Sequence, residues 1–216
     1  MGYGKEITIK IVNKKYKDSY AIENLIKYTV TDKASKRACR YRGGHGAYYM
    51  NAKKAAKQFQ IIQEYYKKQT GKRVHHMIIS FDNGIDDLYA IDSLAKIIVY
   101  DILREYQSVY AIHEDTDNLH IHIVWNAVNF VTGKKWHISR PEFSELKKYI
   151  KTLASRGNNK WLRMNGTEEN LHRLNTKRYR FLKIRLPFIW TAMRILDGQW
   201  MISFHPREQV KRYRLR

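Results

Sequence analysis

The chain has 216 residues, enough for one well-cored domain and few for two. Its apolar share of 44% is ordinary for a globular protein, but a formal net charge of +21 is not, and it predicts attraction to polyanions, nucleic acid first. One cysteine, Cys39, excludes a disulfide framework and a thiolate metal cage, which fits a reducing cytoplasm; no run of about 18 apolar residues predicts a membrane span.

In chain order, Lys5 to Val12 alternates, with Ile7, Ile9 and Ile11 on one face, and reads as a half-buried strand. Asp18 or Ser19 caps a helix carrying Ile22, Leu25, Ile26 and Thr29, with Tyr28 on its flank near the end. Lys33 to Gly46 is basic, glycine-bearing and without period, and reads as a loop. A lysine-rich amphipathic helix is predicted over Asn51 to Lys68, and a strand over Arg73 to Phe81. In that strand His75, Met77, Ile79 and Phe81 share one face, with His76 and Ser80 on the other.

A helix over Asp87 to Tyr106 follows, then a hairpin of Ser108 to His113 and Leu119 to Val128. A turn at Thr132-Gly133-Lys134 leads to a helix from Pro141 to about Ser155. This order predicts an α+β fold: an antiparallel sheet with helices packed on one face and an open face for metal and DNA. Beyond Gly157 the basic residues change from mostly lysine to mostly arginine. The expected division is therefore a nuclease-type domain over 1–156 and an arginine-rich extension over 157–216. That extension is read either as a DNA-binding addition or as a tail altered by truncation or frame shift; Phe188 to Leu196 has helical character.

The chemistry concentrates in His113-Glu114-Asp115-Thr116-Asp117-Asn118-Leu119-His120-Ile121-His122, followed by Asn126. Side chains alternate along a strand, so His120, His122, Val124 and Asn126 share a face, while Leu119, Ile121, Ile123 and Trp125 take the other. The hairpin returns His113 beside them. Three imidazoles converging on an open sheet face form a facial metal site. Each must be neutral to bind, and each needs a partner on its other ring nitrogen; Asp115, Glu114 and Asn126 are the candidates. Imidazole ligands suit zinc, copper, nickel, iron or manganese better than magnesium.

The run HEDTDNLHIHIVWNAVN, with TGKKW after it, resembles the third motif of conjugative relaxases, the mobilisation-nuclease family. RVHHMIISFD resembles the strand before that family's central helix, and NLIKYTVTDKASK its first motif, where a tyrosine near a helix end is the nucleophile. The resemblance covers roughly residues 5 to 150. It implies an enzyme that nicks one strand at a plasmid or mobile-element transfer origin and stays linked to the 5′ phosphate. On this chain it implies Tyr28 and Asp115 as the catalytic pair and His113, His120 and His122 as ligands of one divalent ion, Mn2+ or Mg2+. Tyr20, Tyr48 and Tyr49 compete for the nucleophile's part. Lys10, Lys33, Lys36, Arg37, His76 and Asn126 are the expected DNA contacts, and 16 tyrosines among the basic residues suit stacking on unpaired bases. The implied partners are single-stranded origin DNA with accessory DNA-binding and coupling proteins, in the bacterial cytoplasm. The alternatives are a phosphodiesterase using water and a non-catalytic basic DNA-binding protein.

Overall fold

The computed structural model describes residues 7–16, 18–32, 35–82, 87–115 and 118–157, together with the short strands 194–196 and 199–201. The chain divides into two compact units, Met1–Asn170 and Leu171–Arg216. In the first unit, five strands form one antiparallel sheet. They are β1 (Ile7–Ile11), β2 (Arg42–His45), β3 (Val74–Phe81), β4 (Ser108–His113) and β5 (His120–Asn126), in the order β1-β3-β5-β4-β2. The helices are α1 (Ser19–Val30), α2 (Ala52–Tyr65), α3 (Leu88–Ile97) and α4 (Arg140–Gly157); a π turn over Ile98–Ile102 follows α3.

The expected elements form for the local reasons given. Asp18 caps α1 by accepting a 2.7 Å bond from the Ala21 amide; Asn51 and Asp87 cap α2 and α3 in the same way. Met77, Ile79, Phe81, Ile121, Ile123 and Trp125 all point to one face of the sheet, and α3, the π turn and α4 bury them. Among the described residues, no helix is long and apolar enough to cross a membrane.

Two expectations need correction here. Residues 42–45 were expected as loop but form the edge strand β2, paired with β4. The sequence Arg-Gly-Gly-His shows no alternation because this strand is held by its backbone. A Cβ on Gly43 would lie 2.6 Å from the Tyr110 ring, and one on Gly44 2.9 Å from the Ser108 carbonyl oxygen, so only glycine allows that approach. The helical character at 188–196 ends in a strand instead. Arg194–Leu196 (β6) pairs antiparallel with Gln199–Met201 (β7), and the sequence between them is Asp-Gly, the pair that favours tight hairpins. Residues 188–193 lie outside the described ones.

The α+β class and the antiparallel sheet with one helix-covered apolar face are as expected. The opposite face, which carries the histidines, is open only in part. Helices α1 and α2 pack Ile22, Leu25, Ile26 and Phe59 onto its Val74, Val109 and Val124, because both helices carry a wide apolar stripe that needs burial. The remaining end of that face keeps Thr8 and Lys10 exposed and Ile78, Ser80 and His120 partly so.

Candidate metal and nucleic-acid site

The register of the sheet assembles the site. His113 lies opposite His120, and His122 lies opposite both Ala111 and Ile78, so strands β4 and β5 bring three imidazoles to the accessible end of one face. One ligand nitrogen from each of His113, His120 and His122 lies within 4.8 Å of the others. Their rings sit 4.4 to 5.3 Å apart, centroid to centroid.

The outer nitrogens fix how the rings are presented. His113 Nε2 donates to the Thr29 carbonyl at 2.8 Å, and His120 Nδ1 donates to the Asn118 carbonyl at 3.0 Å. A carbonyl oxygen can only accept, so both rings carry the proton there and turn the lone pair of the other nitrogen toward the cluster. Thr29 lies in the last turn of α1, where carbonyls have no intrahelical partner, so His113 satisfies a helix end while being oriented by it. His122 Nδ1 lies 2.8 Å from His76 Nε2; with His122 as donor, its Nε2 holds the lone pair.

Burial favours the neutral form of His113 and of His76. It holds His113 below the ordinary histidine range, against the opposing influence of the Thr29 carbonyl and Asp115. His76 is pushed down to about 4, first by burial and then by His113. His113 Nδ1 is buried and has no hydrogen-bond partner among the described residues. A buried nitrogen in that state costs about 1–3 kcal/mol. A divalent cation at the cluster would remove this cost, so the residues present fit a bound metal.

Asp115 Oδ1 lies 3.9 Å from both His113 Nδ1 and His120 Nε2, with the side chain almost fully buried. Those contacts are on the ligand side of the rings and too long for hydrogen bonds, so Asp115 is not the orienting partner of either. Orientation comes from Thr29, Asn118 and His76. Sequence reasoning missed the two carbonyls because every residue has one and pattern does not reveal which is used.

Tyr28 belongs to the same turn of α1 as Thr29. Its ring lies 5.3 Å from that of His122, edge-on, and 5.7 Å from that of His113. The competing tyrosines lie differently: Tyr20 is at the start of α1 and strongly exposed, and Tyr48 packs under the Lys54 ammonium before α2.

The expected DNA contacts divide. Lys10 is exposed on the site face, in the same row across the sheet as Ile78 and His122; Lys36 and Arg37 are exposed after α1. Lys33 lies outside the described residues. His76 is buried against His122. Asn126 is also wholly buried. Its amide nitrogen donates to the Phe59 carbonyl and Gln107 Oε1, and its oxygen accepts from Gln63 and the Val128 amide, so it fastens β5 to α2.

The model of the family "Relaxase: MobA/VirD2-like, nuclease domain" matches residues 20–158, well over half of the chain. The chain belongs to this family. Among its relatives, Protein rlx of Staphylococcus aureus is 29% identical over 94 residues, 44% of this chain and 29% of that protein. Protein TraI of Escherichia coli is 41% identical over 63 residues, 27% of this chain and 8% of that protein. The relaxase-family chain therefore spans less than a third of these relatives. A solved structure titled "Molecular Basis of Vancomycin Resistance Transfer in Staphylococcus aureus" aligns with a TM-score of 0.46 at 12% identity. That alignment covers 76% of this chain and 95% of that one.

Proposed function

We propose that the domain nicks one DNA strand at a transfer origin by transesterification. The observation that carries this reading is the placement of Tyr28 against His113 and His122, one residue from the carbonyl that orients His113. In this reading the Tyr28 Oη attacks the scissile phosphorus. The Oη–P bond forms, the P–O3′ bond breaks, the tyrosine loses its proton and the departing 3′ oxygen gains one. The strand is left with a 3′ hydroxyl and a 5′ phosphotyrosine, which keeps the ester's energy for rejoining.

His113, His120 and His122 would hold the metal, Mn2+ or Mg2+. Bound there, it supplies charge stabilisation at a non-bridging phosphate oxygen. Asp115, beside two of the ligand nitrogens, completes the catalytic set by balancing charge at that point. A phenol is mostly protonated near neutral pH, so attack also depends on a proton acceptor, a part that Asp115 or solvent would take. Lys10, Lys33, Lys36 and Arg37 would hold phosphates of the bound strand. In this reading 1–156 is the nuclease domain and 157–216 a basic extension. Accessory DNA-binding and coupling proteins in the bacterial cytoplasm would complete the transfer complex.

The test incubates the protein with manganese and single-stranded oligonucleotides spanning the neighbouring origin, resolved on denaturing gels. A covalent protein–DNA species that disappears in His120→Ala supports the reading. Cleavage without a covalent species would replace it with hydrolysis by water. Binding without cleavage, on verified origin DNA, would replace it with a non-catalytic DNA-binding protein.

A further inference from the structure

The opposite face of the sheet carries a second polar and aromatic cluster that nicking does not use. His75 of β3 is 6% exposed and lies flat on Trp125 of β5, with centroids 5.1 Å apart and planes at 18°. Trp136 follows the Gly133 turn and meets both rings edge-on, 4.6 Å from His75 and 5.2 Å from Trp125. A 2.7 Å bond from its backbone amide to the Ala127 carbonyl fixes its position. Beside these rings is a cavity of about 290 Å³, lined among others by Lys72, His75, Ala127, Lys135, Trp136 and Ile138. That volume is at the lower end for ligand pockets and suits one nucleotide-sized group.

Two further observations suggest what the cavity takes. His75, which lines the cavity, has its Nδ1 buried with no hydrogen-bond partner among the described residues. Such an atom is costly unless a ligand meets it. Lys72 and Lys135 are also partly buried. Burial pulls both below the usual lysine range, and Lys68 and Arg73 push Lys135 the same way. The Lys135 ammonium donates to the Thr70 and Lys72 carbonyls, and neither lysine has a carboxylate partner among the described ion pairs. An aromatic wall, a buried polar edge and uncompensated positive charge together complement a base with its phosphate.

We propose that this cavity is a second nucleic-acid subsite that takes one unpaired nucleotide of a bound strand. The base packs against Trp136 and meets the polar edge of His75, and the phosphate faces Lys72 and Lys135. The subsite lies across the sheet from the histidine triad and three residues along β3 from Ile78, roughly 10 Å in the strand direction. It therefore holds a different part of the strand from the one being cut. The inference shares with the proposed function only its partner, DNA, and none of its chemistry.

The experiment uses oligothymidine without an origin sequence, carrying single 5-iodouracil substitutions, irradiated with the full chain and mapped by mass spectrometry. Adducts on the peptides holding His75 or Trp136 are expected, in the parent and in His120→Ala alike. By fluorescence anisotropy, Trp136→Ala should weaken binding about tenfold and Trp136→Phe less than about threefold, since stacking is retained. Lys72→Gln, which disturbs no ring, should lower the salt slope of binding by about 0.7. Adducts confined to the histidine face, or a folded Trp136→Ala and a Lys72→Gln that both bind like the parent, overturn the subsite. Adducts at Trp136 in a protein that never nicks would keep the subsite and remove the proposed reaction.

Discussion

His122 and Asn126 lie four residues apart on one face of one strand, and both are buried, yet their surroundings differ. Around Asn126 the polar groups satisfy one another. Gln63 bridges to the Arg73 carbonyl and Asn126, Arg73 Nε donates to Gln63 Oε1, and Asn126 reaches Phe59 and Gln107. Around His122 the outer ring nitrogens are satisfied but the inner ones converge, and His113 Nδ1 has no hydrogen-bond partner among the described residues. The first cluster is complete within the chain and joins helix to sheet. The second is complete only when something else enters. Burial of polar side chains alone does not mark a functional site; a buried ring nitrogen left unsatisfied within a cluster of ligand nitrogens does.

The sharpest way to break this contrast is His120→Ala. Nicking should fall about a thousandfold or more, the scale for losing a group that stabilises transition-state charge, while metal-free stability changes by less than about 1 kcal/mol. Single-turnover cleavage and urea denaturation measure the two. The mirror substitution, Asn126→Ala, strands the partners of a buried amide and should cost about 3 kcal/mol by urea denaturation. The protein that remains folded should keep its metal affinity. His76→Phe should leave the sheet folded but loosen the hold on His122, weakening metal binding about 10- to 100-fold by titration calorimetry.

The smallest effect is on acid stability. Burial lowers His75 to about 3 and His76 to about 4, against about 6.5 in an unfolded chain. Between those values the unfolded state binds more protons, so stability rises with pH. The contribution is complete above about pH 6.5 and is lost as pH falls toward 3–4. Replacing His75 with Phe should flatten that part of the curve, as followed by denaturation at a series of pH values.

Much of this was legible in the sequence, and the reasons are local. The alternation of β3 and β5 placed His76, His120 and His122 on one face and His75, Ile121, Ile123 and Trp125 on the other, because a strand has no other way to present them. Asp18 announced α1 through cap chemistry, and the predicted starts at Asn51 and Asp87 proved to be the caps of α2 and α3. The edge strand β2 was hidden because its glycines are there for what they lack. The second helical layer was hidden because an amphipathic stripe does not say which face of a sheet it will cover. His76 and Asn126 lie on the site face as alternation required, but only packing separates a residue that meets a ligand from one that holds its neighbours.

In the proposed reaction Tyr28, in the last turn of α1 and against the histidine cluster, is the nucleophile. The direct measurement traps the covalent product with origin oligonucleotide and manganese, digests the protein and sequences the nucleotide-bearing peptide by mass spectrometry. The modification is expected on Tyr28, with no covalent product from Tyr28→Phe. Modification of Tyr20, Tyr48 or Tyr49, or an undiminished adduct in Tyr28→Phe, would contradict that role.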